Sequence, residues 1–272
     1  MLPDALIALI HRQVAWIRAA FGAYPDPSGL LQPFHEQGWE GCRDPSFPEG
    51  RVREILSAYQ RRDPALSVWH QSRHRTTYRI DLDLEKKVTV FLKHYSCRRL
   101  PLYNPRSYLR WAHARKSFRL AHLLVKTGIP TAKVLFYLRE NRAGIRSDCL
   151  LATEEVSNSP DLKSWMKDRY PSLSLHEKEA FAKELARFLA TLHRNGICHG
   201  DFESNTLVSP GPYRFCLIDL ESVRTFGSML NRDRKKQLAT LFRRLPAIGA
   251  DDQTRQLFLQ TYFSEFGMKG RT

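Results

Sequence analysis

Apolar positions recur along this chain with two periods, and each period predicts a kind of element. Over residues 1–21, Leu2, Leu6, Leu9, Ile10, Ile17 and Phe21 fall at helical spacing with Arg12 and Arg18 off the stripe, which predicts an amphipathic helix. Asp4 in its first turn, with no basic leader or small-residue cleavage site, argues against a signal peptide. Packing onto the rest of the fold is the reading preferred over a membrane surface for this helix. Residues 22–50 are dense in Pro and Gly and predict a loop or linker, followed by a short helix over 51–61. The period then changes. Residues 77–84 alternate like a strand, Lys86 and Lys87 make a turn, and 88–94 alternate again, a β-hairpin signal. A long helical pattern over 105–127, with Phe118, Ala121 and Leu124 on its apolar side, is stopped by Gly128 and Pro130. Strands are predicted over 133–138 and 149–154. A helix is predicted over 175–195, with Phe181, Leu185, Phe188, Leu189 and Leu192 on one face and Gly196 as its stop. Short strands at 206–208 and 214–218 flank the turn 209–212, and the chain from 231 onward reads as mostly helical. No internal repeat emerges.

Composition sharpens this picture. At 42% hydrophobic and 26% charged, the 272 residues are of ordinary globular type, long enough to bury a real core in one large domain or two lobes. No apolar run approaches the roughly 18 to 20 residues of a membrane-spanning helix, so the chain does not read as an integral membrane protein. Its five cysteines are odd in number, with no two at CxxC spacing. They read as reduced thiols rather than a disulfide scaffold or a cysteine-built zinc site.

The charge is one-sided. The net charge is +15, and residues 51–126 alone carry 18 basic and 5 acidic side chains. Between Glu85 and Glu140 there is no acid and there are 13 Lys and Arg. Such a field attracts polyanions: nucleic acid, anionic lipid head groups or a phosphorylated substrate.

Two segments carry candidate chemistry. One is HGDFESN, with His199, Gly200, Asp201 and Asn205, following a long helix. The other is LIDLE, with Asp219 at the end of an apolar strand 18 residues beyond Asp201. Phosphoryl transfer uses such a set. One carboxylate orients the acceptor hydroxyl and takes its proton, while an Asn and a second carboxylate hold Mg²⁺ against the phosphates. Upstream, Lys93 lies inside the predicted strand VTVFLKH, where a lysine can reach the α- and β-phosphates. Each motif is weak by itself. Their order, strand lysine, long helix, HGD, Asn, hairpin, strand-end Asp, is that of a protein-kinase-like fold.

On these residues the chain resembles the lipopolysaccharide kinase family, the Kdo and heptose kinases of Gram-negative bacteria. The likeness runs from about Val68 to Phe266. It rests on VFLKHY around Lys93, ARKSFRLAHLLVKTGIPTAKVLFYL, LATEEV, HGDFESN and LIDLESVR. HGD and IDLE are shared with aminoglycoside and choline kinases, so they specify the superfamily. The basic helix running into TGIPTAKVL suggests the lipopolysaccharide branch. The resemblance implies an α+β, bilobal, protein-kinase-like fold: an extension over 1–65, a small antiparallel-sheet lobe over 66–156 and a mainly helical lobe over 157–272. It implies ATP and Mg²⁺ as cofactors, Lys93 on the phosphates, Asp201 as catalytic base, and Asn205 and Asp219 on the metal. Residues 153–156, including Glu154 and Val156, would be the segment that receives adenine. His199 would fix the catalytic loop, with Cys198 a buried spacer beside it.

The resemblance also gives the cationic helix a partner. Lipopolysaccharide inner core is anionic and sits at the membrane, so Arg98, Arg99, Arg106, Arg110 and Arg115 are expected to contact such a glycolipid, with about half of the helix's cations only solvating it. That implies a cytoplasmic protein in peripheral contact with the cytoplasmic face of the inner membrane. Nucleic acid is the weaker partner, since no zinc-finger, RNP or KH pattern is present. The chain departs from the general kinase pattern in three places. Ser72, Arg73, His74, Arg75, Thr76 and Thr77 stand where a glycine-rich loop is usual. The helix over 105–127 has no acid to pair with Lys93, which leaves Asp219 or Glu140 to orient it. Asn205 follows Asp201 by four residues rather than five. These keep two alternatives open: a pseudokinase, and a kinase for another small-molecule or protein acceptor.

Overall fold

The structure is a computed structural model that describes residues 31–72, 75–83, 85, 87–96, 108–140, 148–209, 213–225, 231–246 and 252–267, with backbone alone for 108–113 and 231. The predicted helix over 1–21 and the side chains of Arg98, Arg99, Arg106 and Arg110 lie outside the described residues. The chain divides into two compact units, Met1–Leu123 with Lys133–Glu155, and Leu124–Ala132 with Val156–Thr272.

The first unit is built on a seven-stranded antiparallel sheet. Its strands are β1 (Gln32–Glu36), β2 (Trp39–Arg43), β3 (Ser67–Gln71), β4 (Arg75–Asp83), β5 (Lys87–Tyr95), β6 (Val134–Glu140) and β7 (Cys149–Glu154), in the order β1-β2-β6-β7-β5-β4-β3. Helix α1 (Glu49–Arg61) seals one face: Val52, Ile55 and Leu56 are buried against Val90, Leu92, Phe136, Leu138, Leu150 and Ala152. Each such side chain removed from water contributes about 2 kcal/mol. Helix α2 (Tyr108–Lys126) presents Phe118 to Tyr137 on the opposite face, ring centroids 6.3 Å apart.

The linker expected over 22–50 is corrected in its described part. Residues 32–43 form the hairpin β1–β2, and α1 begins at Glu49. The glycines and proline that suggested a loop have strand-specific uses. Gln37 and Gly38, with φ of 46° and 81°, make the two-residue turn. Pro33 lies on the edge strand, where no ladder hydrogen bond is demanded on its outer side. Gly41 meets β6 so closely that a Cβ would stand 1.9 Å from the Tyr137 carbonyl oxygen. Phe34 and Trp39 are buried in the sheet's core, so this hairpin is part of the first unit's sheet.

The second unit is mainly helical: α3 (Leu162–Asp168), α4 (Leu175–Arg194), α5 (Asn231–Arg244) and α6 (Asp252–Glu265). Ser174 and Glu177 form a reciprocal capping box at the start of α4, and Gly196 with φ 68° follows its end. Trp165 of α3 stacks on Phe181 of α4, centroids 4.2 Å apart. Two small antiparallel pairs complete the unit. β9 (Thr206–Ser209) pairs with β10 (Arg214–Leu217), and β8 (Ile197–His199) pairs with β11 (Val223–Thr225).

Candidate active site

The segment His199–Asn205 leaves β8 and turns back into β9, which places both motifs in the second unit. Its short span closes on itself: the Asn205 amide and its side-chain Nδ2 both donate to the Asp201 carbonyl, at 3.2 and 3.1 Å. The four-residue spacing therefore makes one helical turn. Because Nδ2 faces a carbonyl, Oδ1 is the amide atom left without a hydrogen bond among the described residues. The Ile218 amide donates to the Asn205 carbonyl at 2.9 Å, which sets Asn205 beside the strand end that carries Asp219. That strand end is anchored from behind: Thr131 Oγ1 and the Ala132 amide donate to the Leu217 carbonyl at 2.8 and 3.2 Å. Asp219 itself has φ 52° and ψ 59°, a left-handed conformation that an acidic residue adopts at a cost on the order of 1 kcal/mol.

His199 is the hub of the loop. Its ring is 3% exposed. Nε2 lies 3.2 Å from the Ile218 carbonyl and so carries the proton. Nδ1 is then an acceptor for the Asp201 amide and the Ser222 hydroxyl, both at 3.2 Å. Burial lowers its pKa from the usual 6.5, against the raising effect of the Ile218 carbonyl. A second histidine supports the first. Burial lowers the pKa of His193, on α4, to about 4. It receives the Tyr262 hydroxyl on Nδ1 and donates from Nε2 to Gln237 Oε1 at 3.0 Å. Gln237 Nε2 in turn donates to the His199 carbonyl at 3.4 Å. Cys198 is half-buried in β8, and burial pushes its thiol up to about 11, which leaves it an unreactive neighbour.

Asp201 is exposed. Its Oδ1 lies 3.4 Å from Arg244 Nη1, and the same nitrogen pairs with the buried carboxylate of Glu203. Sequence reasoning missed Glu203, Gln237 and Arg244. The one available signal was a second acid, Glu203, two residues beyond Asp201 in the same short turn, which calls for a cation without saying which one. Asn205 Oδ1 and the Asp219 carboxylate are hard oxygen donors on adjacent segments. Two such ligands suit Mg²⁺, which keeps waters and shares its remaining positions with phosphates. Among the described residues no group of three or more His, Cys, Asp or Glu side chains is arranged to hold a metal without such help.

In the first unit, Lys93 is half-buried on an interior strand of the sheet, opposite Leu151 on β7 and Thr77 on β4. The α1-covered residues Val90 and Leu92 alternate with it, so Lys93 shares the other face with Phe91, Leu151 and Tyr137. The expectation that Glu140 orients Lys93 is corrected. Leu151 pairs with Tyr137, and Glu140 lies three positions further along β6. It therefore falls on the opposite face, about 14 Å away by strand spacing. The inward side of α2 carries Ala114, Ser117, Phe118 and Ala121, and the buried Ser117 hydroxyl has no partner among the described residues. Glu154 ends β7 with its amide on the Lys133 carbonyl at 2.8 Å, and Val156 opens the second unit. Ser72 closes the β3–β4 connection through its amide on the Arg75 carbonyl at 2.8 Å. Of the arginines expected to bind anions, Arg115 is described, and it is exposed.

The model of the lipopolysaccharide kinase (Kdo/WaaP) family matches residues 84–262. The lipopolysaccharide core heptose(I) kinase WaaP of Pseudomonas aeruginosa is 29% identical over 160 residues, covering 55% of this chain and 59% of that protein. The chain therefore matches less than two thirds of the length of that curated relative. A solved structure of WaaP in complex with acyl carrier protein superposes with a TM-score of 0.61 at 24% identity, over 80% of this chain and 88% of that one. This likeness identifies the fold as protein-kinase-like, in agreement with the α+β reading of the sequence.

Proposed function

The chain belongs to the lipopolysaccharide kinase (Kdo/WaaP) family, and on that premise we propose that it transfers the γ-phosphoryl of ATP to a sugar hydroxyl, Kdo or heptose, of lipopolysaccharide core. The observation that carries this reading is the closed turn Asp201–Asn205 bonded to the strand end of Asp219. It brings a base and two hard oxygen donors into one small region of the second unit.

In this reading Asp201 aligns the acceptor hydroxyl and takes its proton as the new O–P bond forms. His199, neutral and buried, holds the Asp201 backbone. Asn205 and Asp219 hold Mg²⁺, which when bound neutralises charge on the phosphates. Lys93 contacts the α- and β-phosphates, and the backbone of Glu154 and Val156 receives the adenine. Most of the rate gain comes from positioning and fixed charge. Arg115 and the neighbouring arginines meet the anionic core sugars. The protein works at the cytoplasmic face of the inner membrane as a peripheral enzyme. The cationic bias supports this location, and no helix among the described residues is long and apolar enough to cross a membrane.

One observation favours a second reading, a nucleotide-binding pseudokinase: the inward face of α2 offers Lys93 no carboxylate. The test supplies γ-labelled ATP and Mg²⁺ with three acceptors, purified Kdo-containing core lipid, an aminoglycoside and casein. Label on the core lipid alone supports the proposal. Label on another acceptor redirects it, and Mg·ATP binding without label on any acceptor selects the pseudokinase.

A further inference from the structure

We propose that Arg244 is a positioning residue for phosphoryl transfer: anchored on the buried carboxylate of Glu203, its guanidinium holds the Asp201 carboxylate from outside the catalytic loop. The inference rests on the kinase reading above and adds a residue that no motif contains.

Three observations carry it. Glu203 sits midway between Asp201 and Asn205 and is 6% exposed. A carboxylate so placed needs a cation, and among the described residues Arg244 Nη1 is the one paired with it. The same Nη1 reaches Asp201 Oδ1 at 3.4 Å, so one guanidinium nitrogen lies between two carboxylates two residues apart and offsets their repulsion. Finally, Arg244 is held where it is. Gln237, Leu241 and Arg244 share one face of α5, with Leu238, Leu241 and Leu245 buried and Gln237 bonded to the His199 carbonyl. Helix α5 thus grips the loop at His199 and again at Asp201 and Glu203.

The chemical consequence is specific. With Oδ1 engaged, Oδ2 is the oxygen left to accept the hydroxyl proton as the acceptor O–P bond forms and the bond from the γ-phosphorus to ADP breaks. Arg244 keeps its own protons throughout. A carboxylate free to rotate would spend less time in that orientation, and the loss falls on turnover rather than on nucleotide binding.

Arg244→Ala, Arg244→Lys, Glu203→Gln and the double variant Arg244→Ala/Glu203→Gln separate this role from simple charge balance. The readouts are thermal midpoint, KM for ATP, and kcat for labelling Kdo-containing core lipid. Arg244→Ala is expected to lower the midpoint and to cut kcat at least tenfold with KM for ATP within twofold. The double variant regains the midpoint because no buried charge is stranded, yet keeps the kcat loss. Arg244→Lys restores part of kcat, since it keeps the charge without the planar fork. A double variant with wild-type kcat overturns the inference and leaves the kinase reading standing. A wild-type protein that labels nothing overturns the kinase reading, and this inference falls with it.

Discussion

The backbone amide of Asp201 donates to Nδ1 of His199 at 3.2 Å, so a neutral imidazole two residues upstream sets the direction of the proposed base. That amide has a partner only while Nδ1 is unprotonated. His199→Ala is expected to lower stability by about 2 kcal/mol by stranding the amide and the Ile218 carbonyl. It should also reduce kcat more than it raises KM for ATP. Thermal denaturation and steady-state kinetics on the same preparation check both effects.

A second histidine predicts a pH dependence of stability. His193 is buried with its folded pKa lowered from 6.5 to about 4. The unfolded chain therefore takes up a proton that the folded chain refuses between these values. The contribution is fully present above pH 6.5 and is lost as pH falls toward 4, by on the order of 3 kcal/mol in all. His199, with its pKa lowered for the same reason, acts in the same direction. Urea denaturation from pH 7 to pH 4.5 should show this slope, and His193→Gln should flatten it.

Gly41 makes a prediction about the amino-terminal hairpin. A methyl group added at its Cα would meet backbone, the Tyr137 carbonyl, rather than a side chain that can move aside. Gly41→Ala should therefore cost about 2 kcal/mol or more and separate β2 from β6. Amide hydrogen exchange along β6 would report the loss. Unchanged protection there would contradict the pairing of this hairpin with the sheet.

Lys93 stands on the face of the sheet away from α1, opposite Leu151 and Thr77. Lys93→Met removes the charge and keeps the length. Phosphotransfer is expected to fall on the order of a hundredfold, with the thermal midpoint nearly unchanged. A parallel loss of stability would assign the lysine to folding instead.

Much of this architecture is legible in the sequence because it is local. The hairpin β4–β5 declares itself by alternation along both strands, although Lys87, expected in the turn, opens β5 opposite Asp83; α4 declares itself by its apolar stripe between Ser174 and Gly196. Asp201, Asn205 and Asp219 could be singled out because HGD and LIDLE are contiguous. Three kinds of feature were not legible. Hairpin β1–β2 reads as a loop because Pro33 and Gly41 are tolerated only through edge position and close strand approach, which are tertiary facts. Strands β8 and β11 have three residues each, too few for any period, and β3 is exposed at every position and lacks an alternating pattern. The Glu203–Arg244 pair spans 41 residues and its Arg244 end carries no motif, so the helix that closes the site is visible only in the folded chain.

The turn from Asp201 to Asn205, bonded beside Asp219, is proposed to perform phosphoryl transfer. The most direct measurement is transfer of label from γ-labelled ATP to Kdo-containing core lipid by the wild type and by Asp201→Asn, at saturating Mg²⁺ and matched folded fractions. In that role, wild type is expected to label the lipid, and the variant to bind Mg·ATP as tightly but to transfer at least a hundredfold more slowly. Equal transfer by the two proteins would contradict it.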